Sequence, residues 1–410
     1  MTRYIIIPKN DRALERLEVE PSGMTEQSRV ERADEVLSAR KSDEVSGDVI
    51  DALEKSKDFS DLIASPTEDL PALGVAIIDA GDNDKAELQS IFKEMSVVED
   101  KQVSLVEPTE TGSEFVSSPT NLDLWHLEAI GLNQVRQSNP NITGAGALIA
   151  VLDTGISLVP ELSTNIVGAV RYDDISKQIV ENPGIGDTYG HGTFVTGLIC
   201  GATTGIAPAA AIVDVLMLPG GNPGWHSNYL SAFNFIISQR NIPIVNISAG
   251  LDGWHEDMRH GFRSLYAHGV LAVAAIGNTG QGYSISPGSF RRSLSVGATT
   301  REFTVYQHGS GGWFKDELGA FSKPNLVAPG VNVTSCTMNG GYAKWEGTSM
   351  ATAIVTGAAA LVHSVAPQLN IEQTAYVILS NCFDLSDRPE RQGSGLLSTY
   401  NIFNSNFTGV

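Results

Sequence analysis

A chain of 410 residues, 42% of them hydrophobic, can bury a full core and has room for two domains. Its 27 Lys/Arg stand against 47 Asp/Glu, a net charge of −20, with no Lys/Arg cluster, which argues against nucleic acid or an anionic membrane as a partner. The charge is uneven: residues 1–120 hold 13 Lys/Arg and 27 Asp/Glu, a net of −14, leaving −6 for the other 290, so a separate acidic N-terminal unit is expected.

The start, MTRYIIIPKN, offers only Tyr4 to Ile7 as an apolar run before Pro8, short of the roughly 7–15 apolar residues of a secretory signal. No segment is expected to reach the ~18 apolar residues of a membrane span. The default expectation is therefore a cytoplasmic protein, with a non-standard export route left open. Cys200, Cys336 and Cys382 are odd in number, far apart and in apolar settings, so they read as core thiols rather than a disulfide framework or a zinc site.

In chain order, Tyr4 to Pro8 reads as a short strand, and residues 9 to 70 as a charged insertion with a helical middle around Asp48 to Phe59. Gly74 to Asp79 predicts a strand, Asp84 to Met95 an amphipathic helix and Val97 to Val106 another strand, a small α+β unit. Glu107 to Thr120, with Pro108, Gly112, Ser117, Ser118 and Pro119, reads as an exposed linker. Beyond Trp125, short apolar runs at 147–152, 212–218, 242–247, 270–275 and 294–298 alternate with helical stretches at 191–200, 228–240 and 257–268. That alternation predicts an α/β fold with a doubly wound, mainly parallel sheet, whose sites lie at the carboxyl ends of the strands. The expected division is residues 1–115 and 116–410.

Three polar residues fall at such positions: Asp153 after the strand ALIAVL, His191 opening a helix in YGHGT, and Asn278 after VLAVAAI. Each alone is an ordinary turn or helix-start residue. A fourth, Ser349, stands at the mouth of the Ala-rich helix that follows EGTSM, where it could simply cap the helix or could use the positive helix end to stabilise a developing oxyanion. Together they supply a nucleophile, a base, a carboxylate to fix the base's tautomer and an amide donor for the oxyanion, the requirements of acyl transfer.

The order Asp, His, Ser and the segments AVLDTGI (150–156), YGHGTFVTG (189–197), VNISAG (245–250), AAIGNTG (274–280), KPNLVAPG (323–330) and EGTSMATAIVTGAAAL (346–361) make residues 121–400 resemble the catalytic domain of the subtilisin-like serine proteases. The region from Tyr4 to Val106 more weakly resembles the propeptide of such enzymes. The resemblance implies an endopeptidase in which Ser349 attacks, His191 is the base, Asp153 orients it, and Asn278 with the Ser349 backbone N–H forms the oxyanion hole. It further implies that Ser248, Ala249 and Gly250 and, with them, Ala275, Ile276 and Gly277 line the pocket for the residue before the cut, while Gly220, Gly221 and the residues up to Gly224 form the other side of an extended-peptide cleft. Ile285 would make the pocket floor shallow enough to favour small or medium apolar side chains.

Departures from the family pattern are Ala353 and Ile354 after the serine, Phe194 in place of a second histidine, and Asn325 in place of Asp. The stretch LICGATTGIAPAA is too short for the calcium loop of many members, and no cofactor is expected to be required. Two other readings compete with this one. Asp153-Thr154-Gly155 also matches aspartic proteases, but it occurs once, where that chemistry needs two carboxylates in an all-β fold. A silent binding module of the same fold would be expected to have lost a polar role, and none is lost. The expected partners are protein or peptide substrates and the chain's own N-terminal unit, folded against the catalytic domain, inhibiting it, and cut off within 107–120; the competing account of that unit is an ordinary second domain that binds a partner and is never removed.

Overall fold

The computed structural model describes residues 1–9 and 68–404, except 83, 94, 109, 117, 174–175, 177 and 183–185. The acidic insertion and its expected helix at 48–59 lie outside the described residues.

The large sheet has eight strands, ordered Leu326–Pro329, Leu294–Thr299, Leu271–Ala275, Ile244–Ile247, Leu148–Asp153, Ala211–Leu216, Ile166–Asp173 and Gln178–Glu181. Every neighbouring pair is parallel except the last, which is antiparallel. The central strands are mostly apolar because helices cover both faces. On one face Ile149 and Val151 pack with His191–Cys200 and Thr348–Val365; on the other Ala150 and Leu152 meet the helices His226–Gln239 and Glu256–Ala267. The expectation that nothing resembles a membrane span needs correction. Thr348–Val365 is 18 residues long with a mean hydropathy of 1.4, but 89% of it is buried as the central helix of one layer.

The N-terminal unit is an antiparallel sheet ordered Glu68–Leu70, Val75–Ala80, Thr2–Pro8 and Met95–Glu99. Its first strand reads as an unbroken apolar run because both faces are covered. Tyr4 and Ile6 turn towards Leu88 of the helix Lys85–Ile91, whereas Ile5 and Ile7 join Tyr229, Phe233 and Phe262 of the catalytic layer. The expected single strand at 97–106 is two: it bends at Asp100–Lys101, and Gln102–Leu105 leaves for a different sheet. The expected linker at 107–120 contains a further strand, Glu110–Val116.

Asp100 stands at that bend for a physical reason. The helix His226–Gln239 has no side-chain cap of its own. Asp100 supplies one from the other unit, accepting from Ser227 N at 2.9 Å and from Ser227 Oγ. Glu68 adds a second polar tie, accepting from Ser231 Oγ at 2.8 Å and Tyr172 OH at 3.0 Å. Asp100→Ala should remove about 1 kcal/mol from this junction, the usual worth of a helix cap. Hydrogen exchange on the inactive Ser349→Ala chain should therefore show the first turn of His226–Gln239 exchanging about fivefold faster, with the strand Leu148–Asp153 unchanged.

Candidate active site

Asp153 ends a central strand and His191 is the first residue of its helix, preceded by Gly190. The two helix- and strand-ends meet only because residue 192 is glycine: a Cβ there would lie 2.2 Å from the Gly155 carbonyl oxygen. His191 Nδ1 is 2.8 Å from Asp153 Oδ1 and 3.0 Å from Oδ2. A carboxylate only accepts, so the proton sits on Nδ1 and Nε2 keeps its lone pair. Thr154 N–H also donates to Oδ1, at 2.8 Å.

Ser349 is the second residue of Thr348–Val365, so its N–H belongs to the first turn, where no intrahelical acceptor exists. It does not cap the helix. Its hydroxyl donates to the Val106 carbonyl at 3.0 Å, and the cap position is Gly347, with φ 148°. A side chain at 347 would collide with the neighbouring amide, its Cβ 2.9 Å from Asn278 Nδ2. Asn278 is oriented by Thr348, whose N–H and Oγ1 donate to Oδ1 at 2.9 and 3.0 Å. Nδ2 therefore faces the cleft, and it donates to the Glu107 carbonyl at 2.7 Å. His191 Nε2 has no hydrogen-bond partner among the described residues.

The cleft is filled by the chain itself. Gln102–Leu105 runs antiparallel between Gly224–Trp225 and Ala249–Gly250, pairing Val103 with Gly224 and Leu105 with Ala249. Val106 N–H donates to Ser248 O at 3.0 Å, and its side chain packs with Ala275 and Ile285. Of the cleft residues expected from sequence, Ser248, Ala249, Gly250, Ala275 and Ile285 border this segment. Gly220 and Gly221 sit in the turn Pro219–Gly221, upstream of the residues that pair. Ile276 is tied into the sheet through Val296 O, and Gly277 N–H donates to Thr348 Oγ1 at 3.2 Å, supporting the oxyanion side from behind. Ile285 occupies the space that a Cβ on Gly250 or Gly277 would need, at 2.4 and 2.5 Å.

Sequence reasoning passed over Asp187, which holds the loop leading to His191. Its Oδ1 accepts from Thr154 Oγ1, Tyr189 N and Gly190 N, and its Oδ2 from Thr193 N and Oγ1. An acid four positions before the histidine was the available signal. Trp345, also missed, lies over Phe194 at 4.4 Å and reaches towards the His191 ring at 6.2 Å, so an aromatic at 194 has a packing partner. Asn325 likewise has a use, accepting from Ser295 N at 2.9 Å and from the buried Lys323 Nζ at 2.6 Å.

Burial by itself would lower the His191 pKa, but the Asp153 carboxylate outweighs it, with smaller contributions from Asp187 and Glu107, and the net shift is upward from 6.5. Beneath this pair lies Asp214, buried, accepting from Ile156 N at 3.0 Å through Oδ2 and leaving Oδ1 without a partner among the described residues. Burial, with Asp187 and Asp153 nearby, pushes its carboxyl up to about 8 despite the Ile156 bond. The unfolded chain loses this proton near the ordinary 3.8 whereas the folded chain keeps it to about 8, so the group costs stability progressively as pH rises through that window. Asp214→Asn should therefore melt higher than the parent, by a margin that is small at pH 4 and reaches at least about 5 °C at pH 8. Melting curves of the Ser349→Ala background across that range check it.

Against known proteins, the family model described as the subtilase family matches residues 144–400. Subtilisin Savinase of Lederbergia lenta is 32% identical over 268 residues, 63% of this chain and 91% of that protein. Alkaline elastase YaB of a Bacillus strain is 29% identical over 364 residues, 87% of this chain and 85% of that one. The major intracellular serine protease of Bacillus subtilis is 32% identical over 241 residues, 54% of this chain and 70% of that protein. A site of this composition, on a doubly wound sheet matched along most of its length, leads to one conclusion: the chain belongs to the subtilase family and is a subtilisin-like serine endopeptidase.

Proposed function

We propose that this enzyme hydrolyses peptide bonds through Asp153, His191 and Ser349, and that it is made as a zymogen whose N-terminal unit is its own first substrate. The observation that carries the reading is the seat of Val106: N–H on Ser248 O at 3.0 Å, side chain against Ala275 and Ile285, carbonyl oxygen 3.0 Å from Ser349 Oγ. A peptide held as an added strand on both edges of the cleft is placed for cleavage after the residue in the pocket.

In the reaction so proposed, Ser349 Oγ attacks the carbonyl carbon as its proton passes to His191 Nε2. The carbonyl oxygen, now negative, is held by Asn278 Nδ2 and the Ser349 N–H. The proton on Nε2 is then given to the leaving nitrogen, and the acyl–Ser349 ester is hydrolysed by water activated by the same imidazole. Asp153 keeps Nδ1 protonated throughout and stabilises the transient imidazolium.

The seated chain is one step short of this arrangement. Ser349 spends its proton on the Val106 carbonyl oxygen, and Asn278 holds the Glu107 carbonyl, one residue too late. Cleavage needs the Val106 oxygen to turn into the Asn278 position and the Ser349 proton to turn to Nε2. A resting state that is bound yet misaligned by one carbonyl suits a latent precursor. The bond so indicated, Val106–Glu107, lies at the upstream limit of the linker expected to hold the cut. We therefore place the inhibitory unit at residues 1–106, with 107–115 as the linker to the catalytic domain.

Calcium does not fit the turn after Cys200. Glu161, the carboxylate that reaches it, already accepts from Thr203 N at 2.6 Å, Thr204 N at 2.9 Å and Tyr342 OH at 3.0 Å. The three free cysteines favour work in a reducing compartment. Small or medium apolar residues before the cut suit a pocket floored by Ile285.

Expressed side by side, the parent chain should lose its first 106 residues while Ser349→Ala keeps full length, with mass spectrometry placing a new N-terminus at Glu107. If both stay intact while the parent is active on casein, the N-terminal unit is not a self-cleaved propeptide. If the truncation persists in Ser349→Ala, another protease is responsible.

A further inference from the structure

The chain in the cleft does not stop pairing at the nucleophile. Glu110–Val116 forms a strand antiparallel to Tyr342–Glu346, setting Glu110 opposite Glu346, Thr111 opposite Trp345, Gly112 opposite Lys344 and, after a register shift, Val116 opposite Tyr342. Counted from the Val106–Glu107 bond, these are the fourth to tenth residues on the leaving-group side.

The edge they use is fixed by the catalytic part alone. The other side of Tyr342–Glu346 pairs with Val333–Cys336. Tyr342 OH donates to Glu161 Oε2 at 3.0 Å, and Glu346 accepts from Tyr306 OH at 3.0 Å. Lys344 Nζ is ion-paired with Asp123 at 3.1 Å, and the Trp345 ring lies flat on Phe194. Cleavage after Val106 leaves Glu110–Val116 on the enzyme as part of its new N-terminal arm, no longer held through Val106 in the cleft; when that arm peels off, the strand keeps its other partner and its four side-chain anchors. It then presents a row of backbone N–H and C=O groups with nothing paired to them, a template for an incoming strand.

We propose that Tyr342–Glu346 is a docking strand for the leaving-group side of the substrate, engaging the fourth to tenth residues past the cut, so that the enzyme selects extended protein segments over short peptides. This rests on the assignment of Ser349 as the nucleophile and Val106–Glu107 as the reference bond. Backbone pairing reads length and strand conformation, and it is nearly blind to side-chain identity. The selectivity it confers is therefore for unfolded or loop segments that continue well beyond the cut.

The test uses self-processed enzyme and four quenched fluorogenic peptides, all carrying Gln-Val-Ser-Leu-Val before the cut. One has three residues after it and one has ten. The other two have the same ten residues, with backbone N-methyl groups on one or the other alternate set of amides from the fourth onwards. Lengthening from three to ten should lower KM by about tenfold or more with little change in kcat, since several backbone hydrogen bonds are added away from the reacting bond. Because a strand presents its N–H groups alternately, one methylated set should return KM to that of the short peptide and the other should leave it low. Equal KM for all four peptides, with all four cleaved, overturns the docking strand and leaves proteolysis by Ser349 intact. Failure to cleave any of them, with Ser349 unlabelled by a fluorophosphonate, overturns the nucleophile assignment and the docking strand together.

Discussion

The hydrogen bond between the Asp153 carboxylate and His191 Nδ1 is made where neither side chain reaches water, at 1% and 0% exposure. A buried carboxylate is tolerable only if its acceptor capacity is met, and Thr154 N–H and the imidazole meet it. That requirement propagates outwards. It places the strand Leu148–Asp153 at the middle of the sheet, demands glycine at 192 so that the helix can approach, and calls for Asp187 to pin the loop from which His191 emerges. Asp214 beneath the pair is the counterpart: a third acid so close to Asp153 and Asp187 is held neutral, because another charge there would be neither solvated nor paired.

The nucleophile side is organised by a different constraint. Thr348–Val365 is almost wholly buried, so its first turn is held by packing against the sheet. Thr348 directs both its donors, N–H and Oγ1–H, at Asn278 Oδ1, which turns the amide donor to the same spot that the helix N-terminus faces. In the proposed mechanism, donors held in this way would act as a preset oxyanion hole. The chain seated across them makes backbone contacts on both cleft edges through Gln102–Leu105 and again along Tyr342–Glu346 through Glu110–Val116. On the proposed reading, latency and substrate recognition are two uses of the same β edges.

Much of this was legible in the sequence because it is local. Apolar runs bounded by Gly, Pro or Asn marked the central strands to within a few residues, and DTG, GHGT, GNTG and GTSM each sit at a strand or helix end where backbone chemistry dictates the residue types. The first strand was readable too, since a run such as Tyr-Ile-Ile-Ile must have both faces covered. The remainder depends on contacts between distant segments. Nothing in the run from Val97 to Val106 separates one strand from two; the break comes from Asp100 reaching Ser227, 127 positions away. Pro, Gly and Ser at 107–120 signal a linker, and only the open edge of Tyr342–Glu346 makes part of it a strand. The cleft wall expected at Gly220 to Gly224 pairs only at its last residue, Gly224, with Trp225 after it, because Gly220 and Gly221 turn away in a short helical turn. Buried acids such as Asp187 and Asp214 resemble ordinary loop and strand residues until the donors and charges around them are placed.

The central claim is that Ser349 is activated by His191 and that the chain in the cleft restrains it until it is cut. Labelling with a fluorophosphonate, followed by peptide mapping, measures this directly on the full-length chain and on its processed form. The account predicts a single adduct on the peptide bearing Ser349 in the processed form, far slower labelling of the intact chain, and none in His191→Ala. An adduct on another residue, or equal labelling of Ser349 with and without His191, would contradict it.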